Sequence, residues 1–100
     1  MAKVHIKGRI LQLLERADSL WDHEIRDVIL REYRLDGGPY WSGTIRMTLT
    51  DLYAGGLISH VKSQIDPNTA PGSEKLLNCY RLNAFGRTRM RQTGLSEELQ

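Results

Sequence analysis

The chain has 100 residues, of which 40% are hydrophobic and 26% charged, and its formal net charge is +2. These values are those of one small globular domain with a single modest core. They argue against a membrane protein, because no apolar run approaches the roughly 18 residues of a membrane span, and the first residues lack the apolar core of a signal peptide. The single cysteine, Cys79, excludes an internal disulfide. We therefore expect a cytoplasmic protein.

The basic residues are unevenly distributed along the chain. Residues 1–40 contain seven Lys or Arg and seven Asp or Glu, whereas residues 41–95 contain seven Lys or Arg against three Asp or Glu. A basic C-terminal part is an electrostatic hint of a polyanionic partner such as nucleic acid. Many solvated surfaces share this feature, so it does not define a function by itself.

Apolar residues recur at helical spacing in two stretches of the first forty residues. Residues 4–17 predict a helix whose buried face carries Ile6, Ile10, Leu13, Leu14 and Ala17. Residues 19–21 predict a short extended connector, and Asp22 is expected to cap the helix that follows. This second helix runs to about residue 34 and buries Ile25, Val28, Ile29 and Tyr33. Residues 35–41 predict a loop, because their Asp-Gly-Gly-Pro core favours turns.

A third helix is predicted over residues 42–55. Ser42 is a suitable N-cap, and the glycine pair at 55–56 is expected to end the helix. The predicted buried stripe is Ile45, Leu49, Leu52 and Tyr53. The opposite face carries Gly43, Thr44, Met47, Thr50 and Asp51, with Arg46 and Thr48 at its edges. These side chains are mostly small or polar, which suits a helix that lies in a groove.

The pattern changes to the alternation of strands after the third helix. Residues 57–66 predict one strand, in which Val61, Ser63 and Ile65 alternate with His60, Lys62 and Gln64. Residues 66–73 form a polar turn segment with two prolines, and residues 75–82 predict a second strand that completes a hairpin. Residues 84–93 predict a short arginine-rich helix with Phe85 and Met90 as contacts, and residues 95–100 a frayed tail.

The order of the elements predicts an α+β fold of the winged helix-turn-helix type. Three helices precede a β-hairpin wing, and a short C-terminal helix follows it. Residues 1–94 are expected to form one DNA-binding domain. In such modules the third helix enters the major groove, and the wing, here residues 66–75, reaches the DNA backbone or a neighbouring groove.

Several short segments carry a family resemblance over roughly residues 8–90. They are Ser42-Gly-Thr-Ile45, Leu49, Leu52, Gly56-Leu57-Ile58, Tyr80-Arg81-Leu82-Asn83 and Gly86-Arg87, with Ile10-Leu-x-Leu-Leu14 and Ile25 before them. Together they resemble the PadR-type winged-helix regulators, named for the phenolic acid decarboxylase repressor. The resemblance implies a transcriptional regulator of bacterial or phage type. Two features depart from the family: Arg46-Met47 replaces its usual Tyr-Pro, and its long C-terminal dimerisation helix has no counterpart.

The sequence offers little support for an enzyme or a metalloprotein. Metal ligands would have to come from His5, His23, His60 and Cys79, whose spacing matches no metal motif. A nucleophile pair of Cys79 and His60 is conceivable because their strands pair, but no orienting group accompanies it. The Gly37-Gly38-Pro39 segment lacks the Gly-Lys-Ser/Thr ending of a phosphate loop. We predict no catalytic residue, metal ion or cofactor.

The predicted partner is double-stranded DNA. The residues expected to face base edges are Thr44, Arg46, Met47 and Thr50, and those expected to contact phosphates are Ser42, Lys62, Lys75, Arg81 and Arg87. The chain is expected to be a monomer or a weak homodimer, in which any self-contact uses the first helix with Phe85, Met90 and Leu95. The sequence identifies no small-molecule effector. The alternative is a winged-helix protein-interaction module, an adaptor or antirepressor, which the low net charge and the exposed Asp51 would suit.

Overall fold

A computed structural model describes residues 4–68, 72 and 75–96. The elements, in chain order, are α1 (Ile6–Arg16), β1 (Leu20–Trp21), α2 (Asp22–Glu32), α3 (Pro39–Ala54), β2 (Ile58–Ile65), β3 (Leu76–Leu82) and α4 (Ala84–Thr93). The predicted α+β class is confirmed. Four helices and a three-stranded antiparallel sheet form an arrangement that is compatible with a winged helix.

The sheet has the strand order β1-β3-β2, so that β3 lies at its centre. The predicted extended connector is the edge strand β1, in which Leu20 pairs with Tyr80 and Trp21 pairs with Cys79. Where β1 ends, the carboxylate of Asp22 accepts the backbone N–H of Asn78 at 3.2 Å. This bond fixes the start of α2 against the middle of β3.

The wing, formed by β2 and β3, contains a β-bulge at Val61. His60 pairs with Tyr80 and Lys62 pairs with Cys79, so Val61 has no partner in the ladder. A bulge of one residue reverses the alternation beyond it. Ser63 and Ile65 therefore share the face of His60, and the predicted division of β2 into one buried and one exposed face is wrong. All residues from His60 to Ile65 are exposed.

The core lies between the helices and the inner end of the sheet. It consists of Ile10, Leu11, Leu14, Ile25, Ile29, Ile45, Leu49, Leu52, Ile58, Leu82 and Met90. The predicted buried stripe of the third helix is confirmed at three of its four positions. Tyr53 is the exception, because its side chain is 52% exposed and its ring lies against that of Tyr80, 6.3 Å between centroids.

Helix α3 begins three residues earlier than the sequence predicted. Its N-cap is Gly38, its first residue is Pro39, and the first helical bond joins the N–H of Ser42 to the carbonyl of Gly38 at 3.2 Å. Ser42 is therefore not the N-cap. Proline suits the first helical position because its missing N–H would have no partner there. The Asp36 carboxylate accepts the Gly38 N–H at 2.8 Å and holds the turn in place.

The first two helices are shorter than predicted. Helix α1 covers Ile6–Arg16, with His5 as its N-cap, and α2 ends at Glu32. Asp22 is the first residue of α2 rather than its cap, and Trp21 occupies the cap position. The Glu24 carboxylate accepts the Trp21 N–H at 2.9 Å.

The segment after α4 is packed against α1 as far as Ser96. The carbonyl of Leu95 accepts a hydrogen bond from the Gln12 side chain at 3.0 Å, and the Ser96 hydroxyl donates to the buried Glu15 carboxylate at 2.6 Å. The prediction of a frayed tail is therefore wrong for Leu95 and Ser96. Residues 97–100 lie outside the described residues.

Candidate nucleic-acid interface

The outer face of α3 is largely exposed and carries a varied set of side chains. Met47 is 68% exposed, and Arg46, Thr50 and Asp51 are also exposed, whereas Thr44 is half-buried. Gly43 has no atom within 4 Å of the position that a Cβ would take. This face is therefore open to a partner along about three helical turns.

The threonines of α3 use their hydroxyl protons within the helix. The Thr44 hydroxyl donates to the Tyr40 carbonyl at 2.8 Å, and the Thr50 hydroxyl donates to the Arg46 carbonyl at 3.1 Å. Such bonds to the preceding turn are common for threonine in helices. The groups that remain for a partner are the methyl groups and the oxygen lone pairs. Of the four residues predicted to face bases, only Arg46 thus brings strong donors.

A cleft separates α3 from the outer end of the wing, beside the turn between β2 and β3, and three of the predicted site residues line it. Ser42 and Arg46 contribute from α3, and Lys75 contributes from the wing. Asp22 and Arg26 of α2, Leu76 and Leu77 of β3, and the core residues Ile45 and Leu49 complete the lining. We call this the α3–wing cleft. Its volume of about 40 Å³ accommodates a water molecule but not a cofactor, so it is a crevice within a surface and not a ligand pocket.

The charge of the α3–wing cleft is predominantly positive. Arg26, Arg46 and Lys75 are its cations, and Asp22 is its one acidic lining residue among those described. The Asp22 carboxylate is already bonded to backbone, since its oxygens accept the N–H groups of His23 at 2.7 Å and Asn78 at 3.2 Å. The Arg26 guanidinium pairs with Asp27 at 3.1 Å on the surface, an ion pair that contributes little and exchanges readily.

The remaining predicted phosphate contacts lie elsewhere. Lys62 and Arg81 pair in register with Cys79 and Ser59, which places them on the face of the sheet opposite Tyr80. The Lys62 ammonium nitrogen lies 5.5 Å from the centre of the Trp21 indole ring. Arg87 is half-buried on α4. The structure therefore brings Ser42, Arg46 and Lys75 together. The other predicted phosphate contacts lie away from this cleft: Lys62, Arg81 and Arg87.

Arg26 was not among the predicted site residues. It lies on α2 among other polar side chains, and its sequence context is that of an ordinary solvated arginine. Only the packing of α2 against α3 and against the start of β3 places it in the cleft. No signal in the local sequence distinguishes it from Arg31 on the same helix.

A polar network occupies the face of the wing that His60 shares with Tyr80. The His60 Nε2 and Ser63 Oγ atoms are 2.7 Å apart, and the Ser63 hydroxyl donates to Asn78 Oδ1 at 2.7 Å. Because the serine proton goes to Asn78, His60 acts as the donor to Ser63, and it does not serve that serine as a base. Burial raises the pKa of Tyr80, and the charges of Asp22 and Tyr53 raise it further. Its phenol is therefore neutral at physiological pH.

The geometry bears on the nucleophile pair that the sequence left open. Cys79 is 1% exposed, and it points to the opposite face of the sheet from His60, which pairs with Tyr80. The two side chains therefore do not meet. Within the described residues, no group of three or more His, Cys, Asp or Glu side chains is placed to hold a metal ion.

None of the helices in the described part of the chain combines the length and the apolar character needed to cross a membrane. Comparison with protein families, with curated proteins and with solved structures finds no match to this chain.

Proposed function

We propose that this protein is a winged helix-turn-helix, sequence-specific DNA-binding protein and a transcriptional regulator, of the kind that the PadR-type resemblance implies. The observation that carries the proposal is the α3–wing cleft. Cations from α2, α3 and the wing, Arg26, Arg46 and Lys75, converge on it. A convergence of cations from separate elements is what a polyanion with regularly spaced phosphates requires.

In this proposal α3 lies in the major groove, which is wide enough for a helix and its side chains. Arg46 donates to a guanine, because a guanidinium matches the two acceptors on that base edge. Met47, Thr44 and Thr50 present methyl groups to thymine, since the threonine hydroxyl protons are bonded within the helix. Ser42, Arg26 and Lys75 contact phosphates on either side of the groove.

Selection from a pool of random duplexes tests this proposal. The wild-type chain should enrich a motif that contains at least one guanine. The Arg46→Ala variant should lose the base preference at one position of the motif. Its binding free energy for the selected site should be weaker by about 1–3 kcal/mol, because each good bidentate pair contributes that much discrimination. If the wild-type chain enriches no motif, or if Arg46→Ala enriches the same one, the proposal is wrong.

The second candidate is a protein-interaction module, and a specific observation favours it. Large apolar side chains are exposed on α3 and the wing, and the four most exposed among the described residues are Tyr40 at 71%, Met47 at 68%, Leu76 at 60% and Ile65 at 59%. Exposed apolar surface of this kind often marks a protein contact. Asp51, on the same face of α3, would repel a phosphate backbone. In this candidate the pool yields no motif, and Met47→Glu abolishes binding of a protein partner without affecting any DNA affinity.

A further inference from the structure

A groove on the other side of the molecule lies between the start of α1 and the end of α4. Its volume is about 470 Å³, within the range of small-molecule sites in proteins. Gly8, Leu11 and Met90 form its floor, and all three are buried. Val4, Leu57 and Leu95 form its walls. We call it the α1–α4 groove. It contains none of the residues that the proposed DNA-binding site uses.

Gly8 is the point at which the two walls approach each other. A Cβ atom there would lie 2.8 Å from Val4 Cγ1 and 3.0 Å from Leu95 Cδ2. The side chains of Val4 and Leu95 therefore lie over Gly8, a helix position that has no side chain. These two side chains therefore fill the space directly above Gly8 and form part of the apolar lining of the groove.

The rim of the groove is cationic. Lys7 and Arg89 are both exposed at the rim, and none of the described lining residues is acidic. His5 adds a donor, because its Nδ1 atom accepts the Lys7 backbone N–H at 3.2 Å and leaves the proton on Nε2. An apolar floor with donors and positive charges at its edge complements one class of ligand, an apolar body that ends in an anionic group.

A second copy of the chain fits this surface less well. Two copies related by a two-fold axis would place Lys7 and Arg89 of one against the same cations of the other, since such an interface is self-complementary. Like charges that face each other cost free energy, and none of the described lining residues is acidic to offset them. The sequence-based expectation of a dimer also relied on Met90, which is 1% exposed and belongs to the core.

We infer that the α1–α4 groove binds a small carboxylate with an apolar body, such as a medium-chain fatty acid. The carboxylate lies at the rim between Lys7 and Arg89, and the hydrocarbon chain lies along the apolar walls formed by Val4, Leu57 and Leu95. This inference is independent of the proposed DNA binding, and its test uses no nucleic acid.

Calorimetric titration with decanoate, below its micelle concentration, tests the inference. The wild-type chain should bind decanoate more tightly than decanol, which lacks the charge. Lys7→Ala and Arg89→Ala should each weaken decanoate binding about twofold to fivefold, as expected for one charged contact at a partly exposed rim. Arg91→Ala is the matched control, because Arg91 is exposed on α4 but does not line the groove, and it should bind like the wild type.

Four outcomes would overturn the inference, provided that the melting temperatures show all variants to be folded. The first is that decanoate does not bind, and the second is that decanol binds as tightly as decanoate. The third is that the double Lys7→Ala, Arg89→Ala variant binds decanoate as the wild type does. The fourth is a dimer in sedimentation that Val4→Asp dissociates, because a second copy would then occupy the groove.

Discussion

The ammonium nitrogen of Lys62 lies 5.5 Å from the centre of the Trp21 indole ring, across the central strand of the sheet. Both residues are register partners of Cys79, which is 1% exposed. Lys62 and Trp21 therefore flank the thiol on the face of the sheet that points away from Tyr80. The sequence suggested a phosphate contact for Lys62, but its position suggests a role in shielding this part of the sheet.

Replacement of Lys62 by alanine should expose the Cys79 thiol. We expect Lys62→Ala to lower the free energy of unfolding by about 0.5–1 kcal/mol, the range of an exposed cation–π contact, and to raise the rate at which a disulfide reagent modifies the native thiol. Lys75→Ala, a lysine that does not contact Trp21, is the control and should leave this rate unchanged. Equal modification rates for Lys62→Ala and the wild type would show that Lys62 does not shield the thiol.

Two glycines in helices should respond to alanine in opposite directions. At Gly86 a Cβ would lie 2.1 Å from the Leu57 carbonyl oxygen and 2.6 Å from Leu82 Cδ1, whereas at Gly43 nothing lies within 4 Å. Gly86→Ala should therefore destabilise the fold by about 3 kcal/mol or more, because backbone must move. Gly43→Ala should stabilise it by about 0.5–1 kcal/mol through helix propensity. Urea unfolding of both variants measures the contrast, which equal effects would contradict.

The contact between Ser96 and Glu15 should contribute to stability. The Ser96 hydroxyl donates to a carboxylate that is 6% exposed, and its removal leaves that carboxylate with fewer donors. Ser96→Ala should therefore cost about 1–3 kcal/mol in thermal or urea unfolding. Ser19→Ala, at an exposed serine, is the matched control and should stay within about 0.5 kcal/mol of the wild type. A silent Ser96→Ala would indicate that the segment after α4 is not docked in solution.

Stability should fall at alkaline pH partly through Tyr80. Its pKa is raised above the ordinary value of 10.0, first by burial and then by the charge of Asp22. The folded state thus holds the phenolic proton more tightly than the unfolded state does. This contribution is complete below the unfolded pKa and is lost as the pH rises through the raised folded pKa.

Tyr80→Phe should make the loss of stability above about pH 10 less steep than in the wild type, because it removes the linked proton. Tyr40→Phe, at a side chain that is 71% exposed, should keep the steepness of the wild type. Urea midpoints measured at several pH values between neutral and strongly alkaline give the comparison. Parallel curves for Tyr80→Phe and the wild type would contradict the role of Tyr80.

The parts of the fold that depend on local pattern were predictable from the sequence. The spacing of Ile45, Leu49 and Leu52 predicted the buried face of α3, and the glycine pair at 55–56 predicted its end. The sequence also contains a signal for the start of α3, because proline prefers the first helical position and Pro39 follows Gly38. The Asp-Gly-Gly-Pro composition favours a loop at the same place, and the prediction of a loop over residues 35–41 follows that composition.

Other features depend on tertiary contacts that no local pattern encodes. The bulge at Val61 reverses the faces of β2, and nothing in the alternation of residues 57–66 indicates it. Tyr53 continues the apolar spacing in the sequence, but its side chain, near the end of α3, is exposed and does not belong to the core. The residues of the candidate site differ in the same way. The exposure of Arg46 follows from the outer face of α3, whereas the positions of Arg26 in the cleft and of Lys62 outside it depend on packing.

The central claim is that the α3–wing cleft faces DNA and that the surface around Lys62 does not. The salt dependence of binding to a random duplex tests this claim most directly, because each phosphate contact contributes about one to the slope of log affinity against log salt. Fluorescence anisotropy at several salt concentrations gives the slope for the wild type and for Lys75→Ala, Arg26→Ala and Lys62→Ala.

We predict that Lys75→Ala and Arg26→Ala each reduce the slope by about one, and that Lys62→Ala leaves it unchanged. The comparison between Lys75 and Lys62 is matched, because both variants remove one lysine from the same hairpin and change the net charge equally. Two results would contradict the claim that this cleft is the DNA-binding surface. One is that Lys62→Ala lowers the slope as much as Lys75→Ala does, and the other is that no variant changes the slope.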